Sequence, residues 1–254
     1  LTTDNFDVAL RALVNTHDFF KVDTLDELKG VISTAITSYN SALNAIKLYA
    51  LNNSGIAPTT QQYINAGITG VSDNNLASIN SALATATVTD VSVSHPVQIQ
   101  SLVNAYNNVI QAADGKNNIA NTDNMPAAQY ALIGVTGVDS DVKKSLLGDV
   151  IDLQLPTGVD TANKVQALAD AVTAVMNVAK GNTTALTQAQ LQSLGVDLSG
   201  VTDFSKVITA IDGTNDDGSG VATLEDLQLL INNVIGSANT ALQVIVKFAD
   251  VNKA

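Results

Sequence analysis

The chain has no cysteine and no tryptophan, only four prolines, and aromatic residues at 4% of its 254 positions. Without cysteine there is no disulfide, no thiolate metal site and no cysteine nucleophile. Charge is also sparse: 14% of residues carry it, 24 acidic against 12 basic, for a net −12. That surplus of negative charge, with no Lys/Arg cluster to offset it locally, repels phosphate backbones and anionic lipid surfaces, so nucleic acid and membrane surfaces are poor candidate partners. No uninterrupted apolar run reaches the roughly 18 residues of a bilayer-spanning helix, and no membrane insertion is expected. An initiator Met and a signal-like leader are missing too, so the chain reads as a segment of something longer.

What is present is a hydrophobic fraction of 46%, carried by Ala, Val, Leu and Ile, with Asn, Gln, Ser and Thr as the main polar residues. Small aliphatic cores suit narrow helical bundles. The length exceeds that of an ordinary domain, so several units are expected.

A short glycine-bracketed stretch gives the organisation. Gly67-Ile-Thr-Gly-Val71 returns as Gly134-Val-Thr-Gly-Val138, 67 positions on (134 less 67), and as Gly195-Val-Asp-Leu-Ser-Gly-Val201, 61 positions after that (195 less 134). Each copy follows a short glutamine-containing piece: 59–66 (TTQQYINA), 126–133 (PAAQYALI) and 187–194 (TQAQLQSL). Each precedes a stretch with apolar residues at helical spacing: Leu76, Ile79 and Leu83; Val142, Leu146 and Val150; Phe204, Val207 and Ile211. A G-x-x-G turn opening a helix could cradle a phosphate on its backbone N–H groups. Here it follows a helix, where a C-cap wants glycine, and it reads as a joint between two helices.

A longer helix completes each repeat. Its apolar positions are Leu102, Val103, Tyr106, Val109, Ile110 and Ala113 in one copy, and Val165, Leu168, Val172, Val175, Met176 and Ala179 in the next. The last copy runs through Leu224, Leu227, Leu230, Ile231, Val234, Ile235, Leu242 and Ile245. Its start, 221–231 (VATLEDLQLLI), echoes 22–32 (VDTLDELKGVI) at an offset of 199 (221 less 22), and 40–50 matches 239–249 at the same offset. The chain therefore divides into a partial two-helix repeat at 1–57, whose second helix spans about 4–14, and three-helix repeats at 58–123, 124–185 and 186–254. Thr24 with Glu27 and Thr223 with Asp226 have capping-box spacing, Thr161 follows an Asp at the matching point, and Ser94 with Pro96 can start the remaining long helix. The residues at 88–94 (VTDVSVS) alternate, but one such run makes no sheet and is expected to be an extended loop. The predicted fold class is all-α, a tandem array of three-helix bundle repeats with about eleven helices. The two longest should start near Thr24 and Thr223 and run roughly 40 Å at about 1.5 Å per residue, with Asn40 and Asn239 the places most prone to a break.

This order of a short helix, a G-V/I turn, a second helix, a loop and a long helix beginning V-x-T-L-x-x-L resembles the GA-like three-helix repeats of large bacterial surface adhesins, themselves similar to albumin-binding GA modules. The matching positions in the last repeat are Leu194, Gly195 and Val196, then Phe204, Val207 and Ile208, then Val221, Leu224 and Leu227. The resemblance implies a secreted, extracellular location on a bacterial cell surface. In the relatives it is the second helix and its flanking loops that bind albumin. The corresponding residues here, Asn75, Ser78 and Asn80 in one repeat and Asp141, Lys143 and Lys144 in another, differ from each other, so no binding residue carries over.

Chemical candidates are few. In 212–220 (DGTNDDGSG), Asn215, Asp217, Ser219 and Gly220, with Asp226 last, fall at positions 1, 3, 5, 6 and 12 of a calcium-loop pattern. Asp226 replaces the usual bidentate Glu and already serves as a capping acid, so the segment reads as a flexible solvated loop. His17 and His95 occupy non-equivalent loop positions, and no nucleophile, base and orienting group converge. The acid pairs Asp139/Asp141 and Asp26/Glu27 sit in first helical turns, where the helix dipole favours them. No catalytic residue, metal ligand or cofactor site is therefore assigned, and the chain is not expected to be an enzyme. The expected function is that of a helical spacer or presenting module within a surface adhesin. The alternative is a module capturing a host or matrix protein on a helical face; either way its neighbours are further domains of a parent chain.

Overall fold

In the computed structural model the residues described are 3–16, 22–52, 55–116, 125–184 and 186–251. Among them there are eleven α-helices and no strand: α1 (Thr3–Val14), α2 (Leu25–Asn52), α3 (Thr60–Asn65), α4 (Leu76–Leu83), α5 (Pro96–Ala112), α6 (Ala127–Leu132), α7 (Asp141–Leu153), α8 (Ala162–Ala179), α9 (Gln188–Ser193), α10 (Phe204–Asp212) and α11 (Leu224–Val251). The all-α class is thus observed. The short helices α3, α6 and α9 have six residues each, while α2 and α11 have 28, about 42 Å at the α-helical rise.

Both long helices begin as the capping residues dictate. Thr24 N–H donates to Glu27 Oε2 at 3.1 Å while Glu27 N–H donates to Thr24 Oγ1 at 3.2 Å, and Asp226 N–H donates to Thr223 Oγ1 at 3.1 Å. Neither helix breaks at Asn40 or Asn239. In α11 the small polar residues there bond back into their own helix, Ser237 Oγ to Asn233 O at 2.8 Å and Thr240 Oγ1 to Gly236 O at 2.9 Å, so they do not pull the backbone out of it.

The chain forms two compact units. The first comprises residues 1–111 with 128–135 and 160–163; the second comprises 112–127, 136–159 and 164–254. In the first, α1 lies on α2 with Ala9 buried, and α3 and α4 cover the far half of α2, burying Tyr39, Ala42, Ile46 and Ala50. In the second, α7, α10 and a 3-10 turn at Ser219–Val221 pack on α11, where Leu227 and Ile231 are fully buried. The second-helix stripes are inside as spaced: Ile79, Leu83, Leu146, Val150, Val207 and Ile211 have no exposed surface, and Leu76, Val142 and Phe204 are half-buried. Residues 117–124 and 185, at two expected repeat junctions, lie outside the described residues, as does His17.

Several expectations need correction. The 88–94 segment is a loop but not an extended one: it coils through turns, with Thr89 N–H on Ser92 Oγ at 3.2 Å, and tucks in Val88 and Val93. Helix α5 is entered through His95 instead of Ser94, because Gln98 Oε1 reaches back to accept His95 N–H at 3.0 Å. Ser78, Asn80 and Lys143, expected on outward surfaces, are buried; Asn80 Oδ1 accepts the Tyr63 hydroxyl and Lys143 Nζ donates to Gly137 O. Leu242 and Ile245, expected in the core, are 60% and 65% exposed. Among the described residues one stretch, Leu224–Phe248, is long and apolar enough to cross a membrane, since Leu, Ile and Val outweigh the interspersed Asn and Gln on average. Its first turns are nonetheless in the second unit's core through Leu227 and Ile231.

Candidate functional site: a glutamine clamp across the glycine turns

The feature that recurs three times along the chain is the glycine turn and what holds it. After α3, Gly67 (φ +77°) donates to Ile64 O at 2.9 Å and Ile68 N–H returns to Tyr63 O at 2.9 Å. After α6, Gly134 (φ +84°) donates to Ala131 O at 3.1 Å and Val135 to Tyr130 O at 3.0 Å. After α9, Gly195 (φ +86°) donates to Gln192 O at 3.0 Å and Val196 to Leu191 O at 3.2 Å. This is the Schellman pattern: glycine supplies the left-handed residue, and the apolar residue after it meets the buried one five back. Tyr63, Tyr130 and Leu191 have no exposed surface, and Ile68, Val135 and Val196 are nearly as deep.

A glutamine on a later, longer helix, α5, α8 or α11, then grips the next residue by both its backbone groups. Thr69 N–H donates to Gln100 Oε1 at 2.8 Å while Gln100 Nε2 donates to Thr69 O at 3.0 Å. Thr136 and Gln166 do the same at 2.8 and 3.2 Å, and Asp197 and Gln228 at 2.7 and 3.1 Å. The second amide hydrogen of each glutamine is directed to the residue one helical turn on: Asn104 Oδ1 at 2.8 Å, Asp170 Oδ1 at 2.7 Å and Asn232 Oδ1 at 3.0 Å. A primary amide is the side chain that can accept one hydrogen bond and donate two in this geometry. The sequence signal is a Gln followed four residues later by Asn or Asp on each long helix, which the hydrophobic spacing passed over. Lys29 stands at the corresponding place in the 22–32 sequence echo (228 less 199).

These bonds decide what the turn can do. The N–H groups of Gly67, Ile68 and Thr69, which an anion would have to recruit, are all engaged within the protein. Around the clamp the copies diverge. Asn75 and Asn107 both donate to Gly70 O, at 2.8 and 2.9 Å, whereas Lys143 Nζ reaches Gly137 O at 3.0 Å and Asp139 Oδ1 at 2.8 Å. The Lys143 ammonium holds the Asp139 carboxyl below the ordinary aspartate range. In the last copy Asp197 accepts Ser199 N–H at 2.7 Å, and that bond lowers its pKa as well. Within the first unit, Tyr63 Oη donates to buried Asn80 Oδ1 at 2.7 Å, and Asn80 Nδ2 closes onto Pro58 O at 2.8 Å.

The remaining candidates are placed as follows. The 212–220 loop is anchored where a free one was expected: Gly218, at φ +80°, sits where a Cβ would come within 2.5 Å of Met176 Sδ, and Val221 is fully buried. Its polar groups bond one another: Asp217 Oδ1 accepts Ser219 N–H at 2.8 Å, and Asn215 Nδ2 donates to Ser219 Oγ at 3.0 Å. Asp226 Oδ2 takes the Thr223 hydroxyl at 2.7 Å. Hydrogen bonds from Ser219 keep the Asp217 carboxyl below its ordinary pKa. Among the described residues no three His, Asp or Glu side chains gather as a metal site would require. Asp141 and Asp26/Glu27 lie in the first turns of α7 and α2, with Lys144 2.9 Å from Asp141. Comparisons with protein-family models, with characterised proteins and with solved structures found no match.

Proposed function

We propose that the chain is a non-enzymatic tandem array of three-helix repeats that serves as a spacer in a large bacterial cell-surface adhesin, extending or presenting other modules of that protein. The observation carrying this reading is the clamp itself. Gln100, Gln166 and Gln228 make one internal connection three times, so the repeated polar groups join a turn to a helix of the same repeat. A repeated ligand site would instead keep its polar groups unengaged and alike in each copy. The side-chain bonds around the clamp differ from copy to copy, Asn75 to Gly70 O, Lys143 to Gly137 O and Asp197 to Ser199 N–H, as suits a scaffold free to drift there. The GA-like pattern of short helix, glycine turn, second helix and long helix supplies the extracellular setting. The test is capture from serum and conditioned medium on the immobilised segment, read by mass spectrometry against a helical control of equal charge. The spacer reading expects no enriched protein. A saturable partner whose binding is lost on substituting one helical face would replace it with the protein-capturing alternative.

A further inference from the structure

The second half of α11 is an apolar face in the open. Leu242, Ile245 and Phe248 are 60%, 65% and 68% exposed. The chain contains a covered version of the same surface: at the offset of 199, Leu242 and Ile245 correspond to Leu43 and Ile46 of α2, and Ala241 to Ala42. There Ile46 and Ala42 are buried under α3 and α4, the start of the repeat that follows α2. A second correspondence concerns the neighbouring groove. A cavity of about 350 Å³ between α10 and α11 is lined by Lys206, Ala210, Val234 and Ala238. The same offset maps these to Asp7, Arg11, Ala35 and Tyr39. In the first unit Asp7, Arg11 and Tyr39 share one cleft with Ala66, Gly67 and His95, the turn and long-helix start of the following repeat. Later turns sit on the repeat before them in the same manner: a Cβ on Gly134 would lie 2.0 Å from Thr85 Oγ1, and one on Gly195 3.6 Å from Leu153 Cδ1.

We infer that the exposed half of α11, with the α10–α11 groove, is the docking surface for a further repeat of the 58–112 type, entering after α11 as residues 58–112 follow α2. This rests on the reading of the chain as an array of like repeats. A second copy of this chain is a poor occupant, because the α3–α4 surface that would fit is already closed over its own α2. A bilayer is a poor one as well. Beyond Ile231 the helix carries Asn232, Asn233, Asn239, Gln243 and Lys247, polar side chains that hydrocarbon would surround without partners.

The test grafts a second copy of residues 51–116 after Ala249, in the register in which Leu51 follows Ala50, and measures amide hydrogen exchange and helical circular dichroism. Helical signal should rise in proportion to the added residues, and exchange over 240–248 should slow by about tenfold or more. Ile245→Asp in the graft should restore fast exchange, and Ile46→Asp in the parent chain should produce the same loss over 39–50. An appended copy that stays unfolded, or that folds without slowing 240–248, overturns the inference. So does an ungrafted chain whose 240–248 amides are already protected by concentration-dependent self-association or by phosphatidylcholine vesicles. Those outcomes leave the spacer reading standing, whereas a captured serum protein would remove that reading without touching this exchange measurement.

Discussion

Gly67 and Gly134 occupy the same position in two copies of the glycine-turn motif, yet replacing each by alanine should have different consequences. Their backbones are alike, at φ +77° and +84°, and alanine in that conformation costs roughly 1–2 kcal/mol. About 0.4–1 kcal/mol is recovered because alanine restricts the unfolded chain. At Gly67 nothing lies within 4 Å of the new methyl, so Gly67→Ala should destabilise the first unit by about 1 kcal/mol. At Gly134 the methyl would meet Thr85 Oγ1 at 2.0 Å, Cβ at 2.6 Å and Cγ2 at 2.7 Å. Rotating Thr85 does not help, since its Cβ is itself in the way, and the residue is tied down by its N–H and Oγ1 bonds to Ala82 O at 3.1 and 2.8 Å. Overpacking of this kind adds roughly 1–3 kcal/mol, for a total near 3 kcal/mol. Both sites belong to one compact unit, so urea unfolding followed by circular dichroism compares them in a single transition. Adding Thr85→Gly to Gly134→Ala should return most of the excess. Costs for the two alanine variants within about 0.5 kcal/mol of each other would show that the turn yields freely and would refute the reasoning.

Alanine at Gln100, Gln166 or Gln228 should each lower stability by about 1–2 kcal/mol, the net worth of two to three hydrogen bonds at a half-buried site. Glutamate at 166 should cost more than at 100 in the same denaturation assay, since it faces the Asp170 carboxylate instead of the Asn104 amide, and the excess should shrink in acid. Tyr63→Phe leaves buried Asn80 Oδ1 without its donor and should cost about 1–3 kcal/mol by urea unfolding. The hydrogen bond from Lys143 lowers the Asp139 carboxyl from its ordinary pKa in the folded chain, so it binds its proton less readily folded than unfolded. Its contribution is therefore present at neutral pH and lost as pH falls below about 4, and Lys143→Met should flatten that acid limb of a Tm-against-pH curve. Calcium in place of chelator should leave the Tm unchanged in wild type and in Asp217→Ala alike, because Asp226 is held by Thr223 and Asp217 by Ser219. A calcium-dependent rise of several degrees, absent in the variant, would make 212–220 a cation loop after all.

Hydrophobic spacing located nearly every helix, because three repeats of one pattern average out the accidents of any single segment. Thr24, Glu27, Thr223 and Asp226 marked the long-helix starts because a capping box is local, needing residues only three apart. The burial of Asn80 was not legible, since it depends on Tyr63, which α3 brings near, and that of Lys143 depends on its side chain folding back to Gly137 O in the turn ahead of its own helix. The glutamine clamp was hidden for a similar reason: Gln100 and Thr69 are 31 positions apart, and a half-buried glutamine has no hydrophobic signature. His95 displaced Ser94 at the start of α5 because Gln98, one turn inside the helix, was free to reach back. The exposure of Leu242 and Ile245 could not be read from α11 itself. An apolar stripe gives the direction a helix wants to face and says nothing of who stands there.

Helix α2 touches different elements along its length, α1 at its start and α3 and α4 beyond Tyr39. Because the backbone between them is one uninterrupted helix, the residue count separating the two contacts also sets the angle between them. One residue inserted near Asn40 would swing the Ala42–Ile46 face by about 100°, while seven would bring it back to within about 20°. The long helix is thus a dial as much as a strut, and insertions should be tolerated in its middle by their phase more than by their length.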